Sequence, residues 1–95
     1  MFYDPACPHC RKFFLEYVQI ADAYALLWKE NPNEVFPEVF AVNCMKQKKT
    51  CDWFKVITFP TLVVLYKGKL YPYEGKLEAK EAREWIDEDF QYQSL

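Results

Sequence analysis

The chain has 95 residues, with 12 lysines and arginines against 14 aspartates and glutamates for a net charge of −2, and hydrophobic residues make up 52% of it. Charges of both signs are interspersed and imply neither a nucleic-acid footprint nor a patch for anionic membranes. The longest apolar-rich run, Thr58 to Tyr66, is far too short to cross a bilayer, so length and composition describe one packed domain over residues 1–95.

The first element in chain order is also the most informative. Phe2-Tyr3 reads as a strand end running into Asp4-Pro5-Ala6-Cys7-Pro8-His9-Cys10, after which a cationic, apolar-periodic segment begins with Arg11. This arrangement delivers a Cys-x-x-Cys pair to the first turn of a helix. Unpaired N–H groups and the positive end of the helix dipole favour a thiolate there. Pro8 suits the first helical position, where its missing N–H costs nothing. His9 places a titratable cation beside the sulfurs. A thiolate in such a setting is both a nucleophile and a good leaving group, the requirement for thiol–disulfide exchange.

Arg11 to Glu30 reads as one long helix, with Phe13, Tyr17, Ile20, Tyr24 and Leu27 recurring every three or four residues and Phe14, Ala21 and Trp28 widening that face. Asn31-Pro32-Asn33 ends it. Val39 to Cys44 follows as a strand, apolar on both faces as an interior parallel strand would be. Met45 to Thr50 is polar and basic, and Cys51 to Phe54 reads as a helical turn or two. An apolar strand follows Phe59-Pro60-Thr61, Lys67-Gly68 turns the chain, and Leu70 to Tyr73 forms a second strand. Leu77 to Gln91 is the last helix, with Leu77, Ala82, Trp85, Ile86 and Phe90 on its apolar side. Lys80–Glu84 and Arg83–Asp87 form i,i+4 pairs on its solvated side, and its start carries no Ser, Thr, Asp or Asn cap.

Four cysteines in a chain of this size are compatible with disulfides, a metal site or redox catalysis. A zinc site from Cys7, Cys10, Cys44 and Cys51 is the rival to the redox reading. Against it, Arg11 opens a helix where a zinc knuckle favours glycine, and no second Cys-x-x-Cys follows.

The run from Phe2 to Arg11 resembles the active-site segment of the thioredoxin superfamily, and within it the protein disulfide isomerases, whose usual form is Phe-Tyr-Ala-Pro-Trp-Cys-Gly-His-Cys-Lys. Phe2, Tyr3, Pro5, Cys7, His9 and Cys10 match, and Arg11 keeps the charge. Asp4, Ala6 and Pro8 depart from it, and the missing tryptophan before the first cysteine removes a surface that touches substrate. Phe59-Pro60-Thr61-Leu62 and the strand after it resemble the family's Pro-Thr-Leu segment.

The resemblance implies a thioredoxin-like α/β fold, a central mixed sheet flanked by helices, lacking the N-terminal β-α-β portion. Met1 falls where the family carries a buried acidic residue, and a sheet without that portion leaves Leu62–Leu65 and Val39–Val42 with unpaired edges. Cys7 is then the attacking and Cys10 the resolving cysteine, Pro60 is cis, and the backbone of Phe59 bonds an extended substrate. Cys44 and Cys51 form a second, structural disulfide, the alternative being two buried free thiols. Lys76 lies near a position where isomerases carry an arginine, a solvated lysine being the plainer reading.

The implied function is a thiol–disulfide oxidoreductase acting on unfolded or disulfide-containing proteins, with no cofactor and a potential nearer the isomerase value of about −180 mV than thioredoxin's, about −270 mV. Two other readings stay open: the thioredoxin-like module of a flavin-linked sulfhydryl oxidase, and a non-catalytic chaperone or binding module. Family resemblance points to the endoplasmic reticulum lumen or secretory pathway. No leader is visible before Cys7, and Gln93-Ser94-Leu95 is not a retention signal.

Overall fold

A computed structural model describes residues 1–90. Its elements are β1 (Phe2–Tyr3), α1 (Pro8–Glu30), β2 (Val42–Asn43), α2 (Lys48–Trp53), β3 (Val63–Tyr66), β4 (Lys69–Pro72) and α3 (Ala79–Asp89). β1 pairs parallel with β2, Phe2 opposite Val42, and β3 pairs antiparallel with β4. One antiparallel bridge joins the two ladders: Phe2 and Thr61 exchange both backbone hydrogen bonds, at 2.9 and 3.0 Å. The mixed sheet is thus two short ribbons hinged on Phe2, which pairs on both sides because β1 has only two residues to offer.

The apolar stripe of α1 lies inward as its spacing requires. Phe13, Tyr17, Ile20 and Tyr24 are buried, joined by Ala79 and Ala82 of α3, with Leu27, Val39, Leu62, Tyr73 and Ile86 packed against them. Two of the widening residues behave differently. Phe14 is exposed, because α3 meets α1 on its other flank. Trp28 is half-buried and ties down the following loop, its indole N–H donating to the Pro37 carbonyl at 3.0 Å and its ring meeting Phe36 edge-on. The helix begins at Pro8, three residues before the segment read from periodicity, because the first turn is stabilised by its end geometry and not by core contacts. Asn31 closes its far end, with backbone and side-chain N–H groups both donating to the Leu27 carbonyl.

The strand expected over Val39 to Cys44 is reduced to β2. A ladder is no longer than its partner, and only Phe2 and Tyr3 lie opposite. Phe40, in a strand expected to be interior on both faces, is 68% exposed. The β3–β4 hairpin turns through Lys67 and Gly68, both at positive φ (51° and 78°) as a two-residue loop between twisted strands demands.

α3 starts at Ala79, two residues later than the periodicity suggests, and ends at Asp89; Gln91 and the Gln93-Ser94-Leu95 ending lie outside the described residues. Its first turn has no cap of its own. Instead the Glu16 carboxylate of α1 accepts the Ala79 N–H at 3.1 Å. Of the two surface pairs expected on α3, Arg83–Asp87 closes at 3.8 Å and Lys80–Glu84 does not, as befits a solvated pair worth a few tenths of a kcal/mol. Further along, the Tyr24 hydroxyl donates to Asp87 at 2.7 Å, so α3 runs beside α1 from Glu16 to Tyr24, away from the cysteines. On the opposite side of the sheet, Phe2, Cys44 and Cys51 form a second small core with Val42, Phe54, Val56, Phe59 and Val63.

Candidate functional site

The site is built where β1 runs into α1. Asp4 organises the turn: its carboxylate accepts the Ala6 N–H at 2.9 Å and its carbonyl accepts the Cys7 N–H at 3.0 Å. An aspartate bonding the backbone two residues on, with proline next to it, is turn chemistry. In the sequence, Asp4 stood out only as a departure from the usual alanine. Arg11 reaches back from the helix, its Nε–H donating to the Pro5 carbonyl at 3.2 Å.

Cys7 occupies the N-cap position with extended backbone (φ −77°, ψ 124°), and Pro8 is the first helical residue. The Cys7 side chain makes no capping hydrogen bond, and the residue is half-buried. Pro8 and His9 are exposed. Cys10, one turn along, is only 5% exposed. Burial pushes its thiol above the ordinary cysteine range, against an opposing hydrogen bond from the Asp4 backbone, and proximity to Cys7 pushes it further up. Cys7 and Cys10 are both free thiols.

The Phe2–Thr61 bridge carries the segment before β3 to the same place. The Phe59–Pro60 peptide bond is cis, and the Phe59 carbonyl oxygen lies 3.9 Å from the Cys7 sulfur. Thr61 donates its hydroxyl to the Thr58 carbonyl, closing this loop on itself. Residues 59 and 60 are half-buried, so one side of the loop backs onto the small core and the other is open beside Cys7.

Cys44 and Cys51 are joined in a disulfide with their Cα atoms 5.7 Å apart. The bridge is buried and packs on Phe2, while the Cys44 N–H donates to the Tyr3 carbonyl at 2.9 Å. It therefore braces the strand that carries the Cys7 turn. Two of the four sulfurs a zinc site would need are consumed by this bond. Lys76 is exposed just before α3, with its backbone N–H on the Glu81 carboxylate at 2.8 Å. An apolar groove of about 650 Å³ between the helices and the sheet has walls that include Tyr24, Val39, Leu62, Leu65 and Ile86; none of Cys7, Cys10, Phe59 or Pro60 lines it. It lies along the strand edges expected to be unpaired, where Leu65 is 66% exposed.

The thioredoxin family model matches residues 1–88. The chain belongs to the thioredoxin family. It is similar to rice (Oryza sativa subsp. japonica) protein disulfide isomerase-like 2-2, at 31% identity over 88 residues, covering 90% of this chain and 22% of that protein. Bos taurus protein disulfide-isomerase A4 is 32% identical over 80 residues, covering 84% of this chain and 12% of the relative. The chain thus spans about a fifth or less of the length of these relatives. Among solved structures, the first thioredoxin domain of mouse protein disulfide-isomerase A4 superposes with a TM-score of 0.66 at 29% identity, covering 95% of this chain and 63% of that one. A thioredoxin-like fold related to disulfide isomerase domains is therefore the frame in which the cysteine turn sits.

Proposed function

We propose that this thioredoxin-family chain is a thiol–disulfide oxidoreductase and isomerase acting on protein disulfides. The observation that carries the reading is the convergence of three parts at one point: an accessible cysteine capping a long helix, a buried cysteine one turn behind it, and the Phe59 carbonyl 3.9 Å from the first sulfur.

The Cys7 sulfur, as thiolate, attacks one sulfur of a substrate disulfide. A Cys7–substrate mixed disulfide forms and the other substrate sulfur leaves as a thiolate. Extended substrate backbone is held by the Phe59 carbonyl and rests against Pro60. Two exits follow. Cys10, once deprotonated, attacks the Cys7 sulfur, releasing the reduced substrate and leaving a Cys7–Cys10 disulfide. Alternatively, a second substrate thiol displaces Cys7, which reshuffles the substrate bonds and returns both cysteines to the reduced form. Burial keeps Cys10 protonated at neutral pH, and this slows the first exit in favour of the second. Electrons pass between sulfurs alone, so the exchange requires no cofactor. The natural substrates are unfolded or misbridged secretory proteins, and the setting is the oxidising lumen where disulfides persist.

The test is recovery of activity by a scrambled disulfide-bonded substrate in a glutathione buffer. The chain accelerates recovery, Cys7→Ser returns it to the buffer rate, and Cys10→Ser accumulates a mixed disulfide visible on a non-reducing gel. Full activity in Cys7→Ser overturns the reading.

A further inference from the structure

The pairing scheme brings three loops to one end of the molecule. β1 and β2 are parallel, so the turn after Tyr3 and the loop after Asn43 leave the sheet at the same end; Thr61 pairs antiparallel with Phe2, so the segment before it arrives from that end too. The Cys7 turn, the loop and short helix from Cys44 onward, and Ile57-Thr58-Phe59 therefore share one face.

That face has an unusual character for this chain. Segments 4–12 and 44–60 hold six of the twelve basic residues (Arg11, Lys12, Lys46, Lys48, Lys49, Lys55) but only two of the fourteen acidic ones, Asp4 and Asp52. All six cations are exposed, and Asp4 is turned into its own turn. The remaining residues hold six basic and twelve acidic groups, and α3, which runs away from the cysteine end, carries five of those acids. The chain is thus polarised despite a net charge near zero. Apolar surface stands among the cations: Ile57 is 89% exposed and Trp53 76%, with Met45 also exposed.

From this we infer that the cysteine end selects polypeptide segments that are acidic as well as apolar, the cations drawing in aspartate and glutamate flanks while Ile57 and Trp53 take apolar side chains beside the disulfide. Exposed charges within about 10 Å of an approaching chain act on its encounter rate, and opposite charge raises it. The inference rests on the oxidoreductase reading for the chemistry at Cys7, but the surface is testable without it.

The reduced chain is mixed with three peptides that carry the same disulfide and the same neighbouring leucine and differ only in their flanks, which are glutamate, glutamine or lysine. The glutamate peptide reacts about tenfold faster than the lysine peptide at 10 mM salt, and the ratio falls towards one at 0.5 M. The same three peptides with serine for cysteine, fluorescently labelled, are titrated by anisotropy and rank in the same order. Changing Lys46, Lys48 and Lys49 together to glutamate inverts both rankings while leaving exchange with the uncharged bis(2-hydroxyethyl) disulfide unchanged, and Ile57→Ser weakens all three peptides equally. Equal rates and equal binding across the flanks, with hydroxyethyl disulfide exchange intact, overturn the inference. Ranked binding with no exchange on any disulfide leaves the surface standing and overturns the oxidoreductase reading instead.

Discussion

Cys7 and Cys10 sit one helical turn apart and meet opposite surroundings. One stands half-buried at the N-cap of the helix; the other is 5% exposed beneath it. Alkylation of the reduced chain near neutral pH is therefore expected to label Cys7 first, with Cys10 following at least tenfold more slowly, as mass spectrometry of a time course would show. Because burial raises the Cys10 thiol, resolution of a mixed disulfide speeds up as pH rises above neutral, and a flat profile would mean that Cys10 is not the resolving group. His9 lies exposed beside the pair, where a positive charge would favour the reduced form. His9→Ala lowers the reduction potential in a glutathione titration by about 30 mV, roughly the worth of one screened charge contact. Tyr17 offers a second titration. Burial lifts its phenol from 10.0 to about 12, while its hydroxyl donates to the Phe40 carbonyl. The unfolded chain ionises this group first, so its contribution to stability is complete below pH 10 and is lost as pH climbs towards 12. Tyr17→Phe removes that part of the slope in urea melts taken across the window.

Among the elements, α1 does most to place the others. It presents Cys7 at one end, buries one face in the main core, and supplies the Glu16 carboxylate that satisfies the open end of α3. Glu16→Ala is expected to cost about 1 kcal/mol in a urea midpoint, the usual worth of a lost helix cap, although the residue belongs to a different helix. The Tyr24–Asp87 hydrogen bond closes the same interface about two turns on, and Ala79 and Ala82 let the helices approach. Ala82→Leu overfills that contact and destabilises by about 1–3 kcal/mol. In the hairpin, Gly68 sits at φ +78° with open space around it, so Gly68→Ala costs about 1 kcal/mol through backbone strain alone and leaves the core packing unchanged.

At the scale of the whole molecule, a buried disulfide joins β2 to α2 and supports the strand that carries the reactive turn. Restricting a loop of seven residues' separation contributes about 2–3 kcal/mol through the unfolded state. The double variant Cys44→Ser/Cys51→Ser should lower unfolding free energy by that amount while keeping Cys7 reactive towards small disulfides. Loss of all thiol reactivity would instead make the second pair part of the chemistry. Charge follows the same large-scale division, with cations gathered around the cysteine face and acids along α3.

Local rules made the reactive turn and its helix legible in the sequence, because helix ends, Pro8 at the first position and a three-to-four apolar repeat act over a few residues. The Lys67-Gly68 hairpin could be read for the same reason. Strand β2 could not, since the length of a ladder depends on a partner forty residues away. The same holds for the exposure of Phe40 and Phe14, and for Glu16 capping α3. Residue types and their spacing marked the Cys-x-x-Cys pair and the helix that presents it. Only the pairing of Phe2 with both Val42 and Thr61 decided what stands around those sulfurs, because hydrogen bonds between distant segments, and no property of either segment alone, bring three loops to one end of the fold.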